Sequence, residues 1–243
     1  MCTLTWFRHE AGYELFFNRD ERHERAAATG LRRGSSGGVG YLAPLDGEAG
    51  GTWLGVNEWG VTIALLNRYP DGGDVADDPN VLWHSRGQVV LEQLGSRSID
   101  SVVEGLQQSE LARTRPFTLV ALQQEHEPLR CAWDGDELSV DQLGDSDLPI
   151  TSVPVAVART ARSAAFDALR AGGVVPGVLE RYHASHVPAA GPLSVCLHGE
   201  RSSSRSFAHI RVAQDRAVYR YRDRQPCEGG PDEVLELPLS ARD

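Results

Sequence analysis

Cys2-Thr3-Leu4-Thr5-Trp6-Phe7-Arg8-His9, followed by Glu10-Ala11-Gly12 and then Tyr13-Glu14-Leu15-Phe16-Phe17-Asn18-Arg19-Asp20-Glu21, opens the chain and decides its reading. Leu4 to Arg8 alternate apolar and polar residues, Tyr13 to Phe17 form a second run, and the triplet between them is turn-like. A β-hairpin therefore starts almost at residue 1, and the chain terminus is part of a sheet. A hairpin also brings its open ends together, which sets Cys2 beside Asn18-Arg19-Asp20-Glu21.

Outward from there, residues 18–50 are charged and glycine-rich, and Gly34-Ser35-Ser36-Gly37-Gly38 reads as a loop. Thr52-Trp53-Leu54-Gly55-Val56 and Val61 to Leu66, joined by Asn57-Glu58-Trp59-Gly60, read as a second hairpin. An acidic loop spans Pro70 to Pro79. Helical spacing follows at His84 to Leu94 and at Ile99 to Gln107, the latter with Ser98 as N-cap. Strands are expected at Phe117 to Leu122, Leu129 to Trp133, Leu138 to Leu143 and Ile150 to Val153. A third helix runs from Val157 to Ala171 and stops at Gly172-Gly173. Further strands are expected at Leu193 to Leu197, Ser206 to Val212 and Ala217 to Tyr221, with an acidic tail fraying from about residue 228. No repeat or linker divides residues 1–243, so the chain reads as one α+β domain with helices over antiparallel sheets.

Composition narrows the chemistry. The 243 residues are 41% hydrophobic and carry a formal charge of -10, and all 24 of the positive Lys/Arg residues are Arg. Without lysine there is no phosphate-loop lysine, no Schiff base and no Ser-Lys pair. An acidic chain with scattered arginines is not expected to bind nucleic acid. No apolar run approaches the roughly 20 residues of a membrane span, and charge arrives at Arg8, too early for a signal peptide. A cytoplasmic location is expected. The cysteines, Cys2, Cys131, Cys196 and Cys227, lie far apart and read as free thiols. The nearest metal-like spacings are His183-x-x-His186 and Cys196-x-His198, which do not make a second matching pair, so no metal site is expected.

Cys2 is the candidate nucleophile. Removal of Met1 would leave it N-terminal, with an α-amine whose ordinary pKa of about 7.7–8.0 lets it take the thiol proton. In the hairpin, Arg19 would polarise the thiolate and Asp20 would hold the amine or orient the arginine. Asn67, ending the strand Val61 to Leu66, offers an amide donor for a developing oxyanion. Arg201 and Ser202-Ser203-Ser204-Arg205-Ser206 could bind an anionic group or form a solvated turn. His183 and His186 sit in an aromatic, loop-like stretch, where a satisfied structural role is favoured over pocket residues or a poor haem ligand pair.

These stretches carry a resemblance. Met1-Cys2, Asn18-Arg19-Asp20-Glu21, Gly50-Gly51-Thr52-Trp53-Leu54-Gly55, Gly60 to Asn67 and Ser85-Arg86-Gly87 are similar to the NRDE family, also called the transport and Golgi organisation 2 family. Ile150-Thr151-Ser152, the Arg162 to Phe166 helix and Ser194-Val195-Cys196-Leu197-His198 resemble its bacterial members. The family is in turn similar to N-terminal-nucleophile hydrolases of the bile-salt hydrolase and penicillin acylase type, which implies a four-layer αββα sandwich. The resemblance implies Cys2 as nucleophile with its own amine as base, Arg19 with Asp20 or Glu21 beside it, and Asn67 at the oxyanion. Ser152 stands where those hydrolases carry a second asparagine, and their late arginine corresponds to Arg162 or Arg159. Asn18, Glu21 and Trp53 complete the expected pocket. The implied function is cleavage or transfer of an acyl group from a small amide or thioester, without a cofactor. The competing expectation is a non-catalytic protein of the same fold that binds or traffics haem or acyl lipid.

Overall fold

A computed structural model describes residues 2–69 and 82–241. The acidic loop expected at Pro70 to Pro79 lies outside the described residues, as does Met1. The opening hairpin forms as β1 (Cys2–His9) and β2 (Gly12–Arg22). It is followed by β3 (Leu31–Ser36), β4 (Val39–Pro44), β5 (Leu54–Asn57), β6 (Thr62–Asn67), α1 (Arg86–Gln93) and α2 (Ile99–Gln108). Then come β7 (Phe117–Leu122), β8 (Leu129–Trp133), β9 (Leu138–Gln142), β10 (Ile150–Thr151), α3 (Ala156–Arg170) and α4 (Pro176–His183). β11 (Ser202–Val212), β12 (Arg216–Arg222) and β13 (Glu233–Pro238) complete the chain.

Two antiparallel sheets result, one of six strands in the order β10-β1-β2-β11-β12-β13 and one of seven in the order β3-β4-β5-β6-β7-β8-β9. The period-2 pattern of the strands sorts their side chains between two cores. From β6 and β7, Ala64, Leu66, Val120 and Leu122 face the other sheet, whereas Ile63, Leu65, Phe117, Leu119 and Ala121 face α1 and α2. On the six-stranded sheet α3 and α4 cover the outer face, with Phe166, Leu179 and Tyr182 buried there. The layers therefore run α3/α4, sheet, sheet, α1/α2, the αββα order expected. Ser98 caps α2 by accepting from Ser101 N–H, as its position predicts.

Several segments differ from expectation. The glycine-rich loop at 34–38 is the tip of the β3–β4 hairpin, with Gly37 and Gly38 both at positive φ in a two-residue turn. Leu193 to Leu197 is not a strand but an irregular, buried segment with an isolated bridge from Leu197 to Gly191. The tail expected to fray from about 228 instead supplies β13, an edge strand paired along β12. Helix α4 stands where the sequence pattern marks no helix; Pro176 at its first turn starts it.

Candidate active site

The register of β1 on β2 places Cys2 directly opposite Arg19, so both side chains share the face turned toward the second sheet. Cys2 is 8% exposed. It lines one cleft of about 480 Å³ together with Arg19, Trp53, Asn67, Tyr69 and Arg115. Its main chain is held on the other side by the residue that follows β10: Cys2 N donates to Ser152 Oγ at 2.6 Å and Cys2 O accepts from Ser152 N at 3.0 Å. Thr151 Oγ1 also donates to Cys2 O, at 3.1 Å. Ser152 thus belongs to the site, on the nitrogen of the candidate nucleophile.

Burial pushes the Cys2 thiol above its ordinary value. The positive amino terminus, a hydrogen bond from the Asp20 main-chain amide and the Arg19 charge pull the other way, and the Asp20 carboxylate adds to the rise. The resting thiol is therefore protonated at neutral pH, and its proton must be taken during any attack.

Arg19 stacks on Trp53, 4.2 Å from the ring centroid, and donates to Asp46 Oδ2 at 2.7 Å. Asp46 also takes a bidentate pair from Arg25, at 2.9 and 2.8 Å, and the N–H of Ala49 at 2.9 Å. Burial works to raise its pKa, but the bonds from Arg25 and Ala49 and the charges of Arg25 and Arg19 prevail and hold the carboxyl below its usual range. Asp46 and Arg25 carry no spacing that marks them. One further Asp in an acid-rich chain is legible only through the fold.

Asp20 turns to the opposite face of the sheet from Cys2. Its Oδ2 accepts from both terminal nitrogens of Arg162 at 3.2 Å, and its Oδ1 accepts from Ser204 Oγ at 2.6 Å. Arg162 is fully buried on α3 and also donates to Thr3 Oγ1 at 2.6 Å. The expectation that Asp20 orients Arg19 is thereby corrected, since adjacent strand residues face opposite ways and Asp20 holds Arg162 instead. Of the two late arginines it is Arg162, not the exposed Arg159, that reaches this region. Glu21 lies at the cleft wall, 3.7 Å from both Arg19 and Arg25.

Ser204 comes from the serine cluster read as an anion site or solvated turn. It is buried in β11, where a bulge at Arg205 between the Asp20 and Arg19 pairings aligns it with Asp20. Asn67 ends β6 within the cleft, and its amide donates to Tyr69 Oη at 3.2 Å, leaving its second N–H for another acceptor.

Asn18 does not line the cleft. Its amide donates to the carbonyls of His183 and Val195, and its Oδ1 meets His183 Nδ1 at 3.0 Å. His183 is fully buried, with Nε2 at 2.9 Å from Thr5 Oγ1. Burial, the Arg162 charge and His209 lower its pKa to about 3. It is a neutral packing residue, the structural role favoured for it, and it makes no pair with His186, which turns to His198 instead.

The Transport and Golgi organisation 2 family model matches residues 1–148, the segment that carries Cys2, Arg19, Asp20, Asp46 and Asn67. The chain belongs to that family. No curated protein matches the sequence. Among solved structures this family member is similar to penicillin V acylase from Agrobacterium tumefaciens, at 15% identity and TM-score 0.56 over 98% of this chain and 86% of that one. It is also similar to a mutant conjugated bile acid hydrolase from Clostridium perfringens, at 9% identity and TM-score 0.57 over 100% and 97% of the chains. A Caenorhabditis elegans ortholog of N-acylethanolamine-hydrolyzing acid amidase aligns at 11% identity and TM-score 0.58, over 86% and 92%. The member thus has the N-terminal-nucleophile hydrolase fold, and no described helix is long and apolar enough to cross a membrane.

Proposed function

We propose that this chain is a cytoplasmic cysteine amidohydrolase or acyltransferase acting on a small amide or thioester through Cys2. The observation that carries the reading is the seating of Cys2: its thiol opens on the cleft while its nitrogen is held by Ser152 Oγ at 2.6 Å. The names of the three structural neighbours, an acylase, a conjugate hydrolase and an amidase, support the same class of chemistry.

Once Met1 is removed, the Cys2 amine takes the thiol proton as Sγ bonds to the substrate carbonyl carbon. The C=O electron pair moves onto oxygen, where the second N–H of Asn67 donates to it. Collapse of this intermediate breaks the carbonyl–nitrogen or carbonyl–sulfur bond, and the leaving group takes the proton from the Cys2 ammonium. Water, or a second acceptor, then attacks the Cys2 thioester and gives up a proton to the sulfur, releasing the acid or the transferred acyl product. Arg19 supplies fixed positive charge but cannot act as base at any ordinary pH.

The test is acylation by a panel of small amides and thioesters, read as a mass increase on the Cys2 peptide. Cys2→Ala should abolish both the adduct and turnover. Adduct formation or turnover that persists unchanged in Cys2→Ala overturns the reading. Saturable one-to-one haem binding that survives Cys2→Ala, with no acylation of the parent protein, would favour the trafficking function instead.

A further inference from the structure

We propose that His186, Cys196, His198 and Cys227 form a structural zinc site, none of the four lining the Cys2 cleft. The four residues come from three segments: the turn after α4, the irregular stretch before β11, and the connection between β12 and β13. Their donor atoms all lie within 4.8 Å of one another. His198 Nε2 is 3.0 Å from His186 Nε2, 3.5 Å from Cys196 Sγ and 3.6 Å from Cys227 Sγ.

Those separations suit a metal tetrahedron. With zinc–nitrogen bonds of about 2.0–2.1 Å and zinc–sulfur bonds of about 2.3 Å, tetrahedral edges are about 3.4 Å for N···N and about 3.6 Å for N···S. Hydrogen bonding alone does not account for the cluster. A neutral imidazole nitrogen has either one proton or one lone pair to offer, and three polar atoms crowd this one. A cation accepts a lone pair from all four groups at once.

Two imidazoles and two thiolates select zinc over calcium or magnesium, and four protein ligands leave no open position for substrate water. The site is therefore a staple and takes no part in acyl chemistry. It would pin the irregular 191–199 segment to the β12–β13 connection. Sequence spacing alone offers His183-x-x-His186 and Cys196-x-His198, which do not match as a pair of ligand sets. The fold turns His183 inward and completes the set with Cys227.

The staple also backs the active site. Leu197, between two of the four residues, donates its N–H to Ser204 Oγ at 2.9 Å, and Ser204 in turn holds Asp20. Fixing the Cys196–His198 segment thus fixes one of the two side chains that hold the buried carboxylate.

The experiment uses the full chain, purified under reducing conditions and titrated with Zn2+ or Co2+ alone. One metal per chain is expected, with the Co2+ form showing thiolate charge-transfer absorption and tetrahedral d–d bands. Cys227 is exposed, so Cys227→Ser leaves the fold intact by far-UV circular dichroism. That change should weaken metal binding by more than the roughly ten- to hundredfold lost when a group that merely orients a ligand is removed. Chelation should lower the Tm of the parent protein but not that of Cys227→Ser. The proposal is overturned by reduced protein that binds no stoichiometric metal, by Co2+ spectra without thiolate bands, or by unchanged affinity in Cys227→Ser. A Cys196–Cys227 disulfide in protein purified with zinc present and without reductant would equally overturn it.

Discussion

Asp20 is held from two directions, by the bidentate Arg162 on α3 and by Ser204 on β11, and neither it nor Arg162 meets solvent appreciably. A carboxylate so placed depends on its partner. Arg162→Met should destabilise the protein by about 3–5 kcal/mol in denaturant unfolding, because it takes the Arg162 cation away from a buried carboxylate, while Asp20→Asn with Arg162→Met should cost less than the sum of the two changes. His183 gives a pH signature of opposite origin. Its folded pKa of about 3 lies below the ordinary value of about 6.5, so between those limits the unfolded chain binds more protons. The contribution is complete above about pH 6.5 and is lost as pH falls toward 3, at up to about 1.4 kcal/mol per pH unit. Unfolding free energies measured from pH 7 to pH 4 should follow that decline, and His183→Gln should flatten it. For Cys2, whose burial raises the thiol pKa, alkylation by iodoacetamide at pH 7 should be slower than for a free cysteine and should still be climbing at pH 9.

Among the elements, the Gly50-Gly51-Thr52 and Ser85-Arg86-Gly87 motifs owe their composition to a backbone contact. A Cβ on Gly51 would come within 2.4 Å of the Gly87 carbonyl carbon, and Thr52 N donates to Gly87 O at 3.0 Å across the same contact. This contact seats the first turn of α1 against the cleft wall. Gly51→Ala should therefore cost about 1–3 kcal/mol by chemical denaturation and widen the cleft entrance, since main chain cannot rotate away as a side chain can. The hairpins β1–β2 and β5–β6 are legible in the sequence because strands with two packed faces or one packed face impose a pattern on it. β3 and β13 escape notice because edge strands need no such pattern: in β3 only Leu31 is buried. Leu193 to Leu197 misleads in the other direction, since Val195, Cys196 and Leu197 are buried without being a strand. Cys2 and Arg19 can be read as a site because one turn brings them together, with Asp20 beside them in the chain but facing Arg162. Asp46 and Ser204 reach it only through sheet topology, and Asn18, though adjacent to Arg19, faces the other way.

At the scale of the whole molecule, the two sheets are joined at the end remote from the cleft by Tyr13. Its hydroxyl lies 2.9 Å from Gly60 O, 2.8 Å from Thr62 Oγ1 and 3.2 Å from Leu122 O on the opposite sheet. Along β2, Tyr13 and Asp20 are roughly 23 Å apart at about 3.3 Å per residue. Tyr13→Phe should lower stability by about 1–2 kcal/mol, measured by urea unfolding, and leave acylation of Cys2 unchanged. The strand order has a further consequence for how the protein is made. β1 and β2 leave the ribosome well before their sheet neighbours β10 and β11, and Ser152 and Ser204 meet Cys2 and Asp20 across sequence separations of 150 and 184 residues. Such distant pairings close late. A nascent chain that has emerged only through residue 148 carries the cysteine and the tetrad but neither Ser152, Arg162 nor Ser204, so the pocket is completed only once β11 has emerged.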